Sequence, residues 1–170
     1  MITVLLRPLK DDDLPRIYRW ISDPEVTQFT TIGTFPLTLD KLREIVHRRD
    51  ASSRHATFAI TFDKEAWHIG VIALNSIDWV NRMAEVELLI GEKRYWSKGY
   101  GTEAIKLIAQ YAFNRLGLHK LWAGVYAENI AIQKTLTKAG FMPEAILKNE
   151  LFLNSRWQDR VYFSILKEGG

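Results

Sequence analysis

The sequence contains no cysteine. That absence excludes disulfides, thiolate nucleophiles and zinc–thiolate sites together, and it suits a reducing compartment, so a cytoplasmic location is expected. Long apolar runs are also missing: none approaches the roughly 18 residues a membrane helix needs, and no membrane association is expected. The opening MITVLLRPLKDDD does not read as a signal peptide, because its apolar run stops at Arg7 and three aspartates follow. Charge of one sign is scarce, with 23 basic against 20 acidic residues and a net charge of +3. So even a balance does not point to a nucleic-acid partner. HRRDASSR (47–54) is locally basic but lacks interleaved aromatics and reads as a solvated loop. His47, His55, His68 and His119 show no metal-ligand spacing, so no metal site is expected.

What is present is enough for one domain over residues 1–170, with 47% hydrophobic content to fill a core. ITVLLRPL reads as an opening strand. DDDLPRIYRWIS follows as a helix with acidic residues at its start and Leu14, Ile17 and Ile21 at helical spacing. TLDKLREIVHRR is a second helix with Thr38 as N-cap. HATFAITF and AWHIGVIALNSI form an antiparallel hairpin turning at Asp63, Lys64 and Glu65, and AEVELLIG is the next strand after a turn near Asn81 and Arg82. A long helix over about 99–116 carries Ala104, Ile105, Ile108, Ala109 and Ala112 as a buried stripe, with Gly117 as its C-cap. HKLWAGVYA, apolar on both faces, is a central strand. NIAIQKTLTKAG is a short helix, and the chain closes in strands that turn at Asn154 and Ser155. The order predicts an α+β fold: one mixed, mostly antiparallel sheet flanked by helices.

The stretch YWSKGYGTEAI (95–105) sets two glycines one residue apart directly before the long helix. Backbone amides opening a helix make an anion site, since they point outward and the helix dipole favours negative charge. Gly99 and Gly101 remove side chains that would block a phosphate, and Lys98, Arg94 and Lys93 add attraction. A plain glycine turn is the bland alternative. A dinucleotide fingerprint also fits G-Y-G-T-E-A, but Glu92 to Lys98 separate it from its strand and antiparallel hairpins precede it. A phosphate-loop NTPase lacks its lysine–serine/threonine pair. A pyrophosphate cradle remains.

WSKGYG (96–101), together with LRPL, DPEV (23–26), AEVELLIG and AENIAIQKTLTKAGF in that order, resembles the GNAT superfamily of acyl-CoA N-acyltransferases over nearly the whole chain. The likeness is greatest to the branch of ribosomal-protein N-terminal, spermidine and amino-sugar acetyltransferases. It implies transfer of an acetyl group from acetyl-CoA to a primary amine, on a small molecule or a peptide. It implies that Ser97, Lys98, Gly99, Tyr100, Gly101 and Thr102 bind the CoA pyrophosphate. The end of AEVELLIG would bulge and splay from HKLWAGVYA, so that Leu88, Leu89 and Ile90 line a slot for the pantetheine arm. The freed N–H of Leu88 or Leu89 would polarise the thioester carbonyl, and Asn129 would contact the arm or simply cap its helix.

An alkylamine is mostly protonated at neutral pH and needs a base. Glu85 stands where the family supplies one, with Glu87 on the same strand face; both could equally be ion-paired sheet glutamates. With no cysteine to carry the acetyl group, direct transfer in a ternary complex is expected. Three positions depart from the family pattern. Trp96 replaces the usual first residue of the loop, Leu136 the tyrosine that protonates the leaving thiolate, and Ile132 a serine. Tyr126 or water would then serve as the acid; a CoA-binding or regulatory module with weak or no turnover is the alternative. The acceptor region would draw on Trp20, Glu25, Phe29, Trp79, Trp157 and Asp159, with Glu25, Trp79 and Glu87 assigned to the substrate; for any single tryptophan, half-buried packing is the stronger reading. Oligomeric state stays open, a homodimer included.

Overall fold

The computed structural model describes residues 3–62 and 67–169. The expected turn at Asp63, Lys64 and Glu65 lies outside them. Seven strands form one sheet in the order β1 (Val4–Pro8), β2 (Ala56–Phe62), β3 (Trp67–Asp78), β4 (Met83–Ile90), β5 (Lys120–Tyr126), β7 (Arg156–Leu166), β6 (Met142–Leu153). Every neighbouring pair is antiparallel except β4 and β5. The expected mixed, mostly antiparallel sheet is therefore what folds. β5 arrives parallel to β4 because α3 (Tyr100–Asn114) carries the chain back between them.

The two faces are filled unequally. On one, α3 lays Ala104, Ile105, Ile108 and Ala112 against Ile72, Leu74, Ala84 and Leu121. Each of the larger of these side chains, once out of water, contributes about 1.5–3 kcal/mol. α4 (Ile130–Lys138) adds Leu136 to the same core. On the other face α1 (Leu14–Ile21) and α2 (Leu39–Asp50) pack over Val71 and Leu89. Among the described residues no helix covers this face beyond β4, and the middle of β5 is less buried there than on the α3 side. Leu121 and Ala123 are core residues, whereas Trp122 and Gly124 are half-buried. The expectation of burial on both faces is corrected accordingly. β6 is the sheet's far edge and almost wholly exposed.

Capping follows the sequence. Thr38 accepts from the Lys41 N–H at 3.2 Å, and Asn129 accepts from the Ile132 N–H at 3.3 Å. Beneath α1 lies a polar network that sequence reading left out. Arg7 binds Asp13 through two hydrogen bonds of 2.7 and 2.8 Å, and His68 Nδ1 lies 3.3 Å from the same carboxylate. The remaining His68 nitrogen, Nε2, lies 2.9 Å from the Gly70 carbonyl. Burial depresses His68 to about 4 despite Asp13, which itself is held at about 2 by Arg7 and the Lys10 amide against the cost of burial. Trp20 stacks edge-on against His68 and donates to Glu92 at 2.9 Å. It is a buried strut, not part of an acceptor surface as expected.

Candidate active site

β4 and β5 share three rungs, Met83 with Lys120, Ala84 with Leu121 and Glu85 with Trp122, and then separate. β4 stays in continuous register with β3 from Glu85 to Ile90. The fork therefore opens without the bulge expected in β4. The irregularity lies instead in β3, between Asn75 and Asp78, where Ser76 takes φ 50°. At the far end Gly91 N–H donates to Ile69 O at 2.9 Å, and the Trp96 indole donates to Ile90 O at 2.7 Å. The first continues the β3 ladder one residue past Ile90, and the second satisfies the Ile90 carbonyl with a side chain of the following loop. Trp96, which departs from the family pattern, thus fastens the loop to the strand.

The peptide groups bordering the fork follow from alternation. Since Gly91 bonds to β3, every second residue back from it (Leu89, Glu87 and Glu85) also directs its N–H to β3. Leu88 and Ile90 face the gap. Of the two N–H groups expected to face the thioester, only that of Leu88 borders the gap; Leu89 directs its own to β3, so its catalytic assignment is corrected, and its side chain packs under α1 and α2.

At the mouth of the fork Ser97 and Gly99 take left-handed conformations, φ 57° and 91°, and α3 begins with no side chain capping it. α2 and α4 are both capped, so the open start of α3 is a local property: its first amides have no intrahelical partner. A Cβ on Gly101 would lie 3.1 Å from Leu88 and 3.4 Å from Thr135, so a larger residue would close the cradle against the strand. Ser97, Lys98 and Gly99 are exposed, and Tyr100 to Thr102 half-buried. The start of α3 therefore lies beside Leu88, whose backbone faces the gap, and a diphosphate with an extended amide-bearing arm suits the two together.

On the helix-poor face the side chains of Glu85, Glu87 and Leu89 point together, and β5 contributes Trp122, Gly124 and Tyr126. Burial first, then the Glu87 charge, raise the Glu85 carboxyl above its ordinary value, with Arg160 pulling the other way. Asn75 Nδ2 donates to Glu87, and His55 Nδ1 lies 3.2 Å from Asn75 Oδ1. Extending the β4–β5 register places Tyr126 level with Leu89 across the gap. The Tyr126 ring rests 6.2 Å from Phe29, and its hydroxyl has no hydrogen bond among the described residues. Leu136 is core, at 1% exposure, and takes no part in the cleft.

Other expected substrate residues fall elsewhere. Glu25 is held by Lys93 at 2.6 Å, with Asp23 on the same ammonium at 2.8 Å. Trp79 donates to Ser53 O at 2.9 Å beyond the closed end of the β4–β5 pair. Trp157 packs on Phe152, and Asp159 accepts from the Asn149 N–H, both in the β6–β7 hairpin. Asn75, Trp122, Arg160 and Tyr162, none of them singled out from the sequence, are in the cleft. The antiparallel register of β3 and β4 could have flagged Asn75 as a neighbour of the glutamates.

A sheet forked beside an uncapped helix start defines an acyl-CoA-using N-acyltransferase. The family described as acetyltransferase (GNAT) domain matches residues 3–142, and the chain belongs to it. It is similar to the spermidine N(1)-acetyltransferase of Escherichia coli K12, 29% identical over 97% of this chain and 87% of the relative. It is equally similar to "Uncharacterized N-acetyltransferase p20" of Bacillus licheniformis, 29% identical over 95% and 92%. The crystal structure of the Vibrio cholerae spermidine N-acetyltransferase in complex with CoA and spermine superposes with a TM-score of 0.88. That match is 26% identical and covers 96% of this chain and 95% of that one. The chain is an acetyl-CoA-dependent N-acetyltransferase. Among the described residues no helix is long and apolar enough to cross a membrane.

Proposed function

We propose that the chain acetylates a small primary amine by direct attack within one complex of protein, acetyl-CoA and amine, with Glu85 as general base. The observation that carries this is the position of Glu85: it is the last rung before the fork, partly desolvated and raised in basicity, beside the open backbone edge. Bound acetyl-CoA supplies an acetyl thioester, whose C–S bond breaks as the C–N bond forms. The amides of 97–102 and Lys98 would hold its diphosphate. Leu88 and Ile90 would pair with its arm, and the Asn129 side-chain amide, whose oxygen caps α4, has its nitrogen free for the same arm.

Glu85 takes the ammonium proton, directly or through one water. The Leu88 N–H stabilises charge on the carbonyl oxygen, a contribution of about 3–4 kcal/mol in comparable arrangements. Tyr126, across the gap and with its hydroxyl unbonded among the described residues, donates a proton to the departing thiolate and recovers one from solvent. Glu87, oriented by Asn75, steers the amine towards Glu85. A cytoplasmic setting belongs to the same proposal.

Thiol release from acetyl-CoA tests it, in a panel of spermidine, protein N-terminal peptides and a 4-amino-sugar nucleotide. Release with at least one amine is expected. Tight acetyl-CoA binding without release across the panel would instead support a CoA-binding module.

A further inference from the structure

Outward from Glu85 the uncovered face is paved with rings more than with charge. Trp122, the rung partner of Glu85, and Tyr162 of β7 lie stacked, centroids 4.9 Å apart and planes 11° apart. Both are half-buried, and neither belongs to either apolar core. Gly124, paired with Tyr162, is covered by Arg160: a Cβ there would lie 2.8 Å from Arg160 Cδ and 3.4 Å from the Tyr162 ring, so only glycine lets the two pack down on β5. The stacked pair is thus an apolar patch on the cleft face, one rung from the proposed base.

The charges on this face are nearly balanced. Glu150 Oε2 lies 2.9 Å from Arg160 Nε, and Glu87 Oε2 lies 3.8 Å from Arg49. Glu85 has no ion pair among the described residues. Three carboxylates against two guanidiniums leave one negative charge, enough for one ammonium. A polyamine carries several ammoniums along a chain, and a row of free carboxylates would be needed to receive them. Here its second and third charges would meet Arg49 or Arg160.

We infer that the acceptor is a monoamine joined by a short chain to a planar apolar group, an arylalkylamine in chemical class, whose ring lies on Trp122 and Tyr162 while its nitrogen reaches Glu85. This rests on the acceptor cleft proposed above and deepens it. It separates this chain from the Vibrio cholerae relative, whose crystal holds spermine.

The test is calorimetric titration of 2-phenylethylamine and of spermidine into the CoA-loaded protein, with thiol release from acetyl-CoA measured for the same amines. The aromatic amine should bind about tenfold more tightly than spermidine. Trp122→Ala should weaken it about fivefold, the scale of one ring–ring contact, leaving CoA affinity unchanged. Trp122→Phe keeps a ring and should retain most of the binding. Arg160→Ala removes a cation that a second ammonium would meet, and should strengthen spermidine binding more than binding of the aromatic amine. Tighter spermidine binding to the unaltered protein, or aromatic binding indifferent to Trp122→Ala, overturns the inference. Ring-dependent binding without thiol release upholds the acceptor class and counts against turnover. Thiol release with spermidine but no ring-dependent binding does the reverse.

Discussion

At its closed end the β4–β5 pair exchanges rungs through residues 83–85 and buries Ala84 and Leu121 at 0% exposure. Three residues later no rung remains, although β3 still holds β4 on its other side. The same strand is thus a finished core element at one end and a half-paired one at the other. Backbone amides left unpaired inside a sheet cost stability unless something satisfies them. Here Gly91 keeps the strand end on β3 while the Trp96 indole satisfies the Ile90 carbonyl. An extended, amide-bearing molecule entering the gap would complete the ladder. The closed end supplies rigidity; the open end supplies the binding edge.

Glu85 lies at the boundary between the two ends, so its replacement should have the largest effect. Glu85→Gln is expected to lower kcat about a hundredfold or more, the scale of general-base catalysis. The sign of the pH dependence follows from its raised basicity: activity falls as pH drops through a value above that of an ordinary glutamate. The variant should lose that acid limb. A pH–rate profile with the limb intact would move the base elsewhere.

The open end's cradle comes next. Gly99→Val forces a branched side chain into φ 91° and obstructs the amides that open α3. CoA affinity should fall about tenfold, equivalent to about 1.4 kcal/mol. Equilibrium titration checks this, and an unchanged dissociation constant would remove the cradle from the loop.

How much of this was readable beforehand depends on the range of the interaction. The stripe of α3, the alternation of AEVELLIG and the glycine loop are local patterns, so helix, strand and cradle were legible within ten residues of each signal. The fork came only from the family resemblance, because three rungs then none is a relation between strands more than thirty positions apart. Trp122 shows the limit well. HKLWAGVYA reads as doubly buried because an aromatic is apolar whether a helix or a cleft faces it. Only the insertion of β7 between β5 and β6 sets Tyr162 beside Trp122 and leaves the pair uncovered. Trp20 took the packing role that is the stronger reading for any single tryptophan, although nothing local distinguishes an indole buried on His68 from one lining a pocket.

Tyr126 refines the picture across the gap. A thiol has a reference pKa of about 8.5 and departs tolerably as the thiolate, so the loss in Tyr126→Phe should be smaller than for Glu85, about tenfold in kcat. KM for acetyl-CoA should hold constant, since the ring is kept. An unchanged kcat would assign the proton to water.

The smallest effect belongs beyond the closed end. Trp79 is 45% exposed and tied to the Ser53 carbonyl, on the opposite side of the three rungs from the fork. Trp79→Ala removes one hydrogen bond and should cost about 1 kcal/mol of stability, visible as a lowered melting temperature. Steady-state kcat/KM for the amine should stay within about twofold, since uniform binding lost at the acceptor would appear as a raised KM. A KM increase well beyond that would bring the turn at Trp79 into the acceptor cleft, and the closed end would then share in recognition as well as in support.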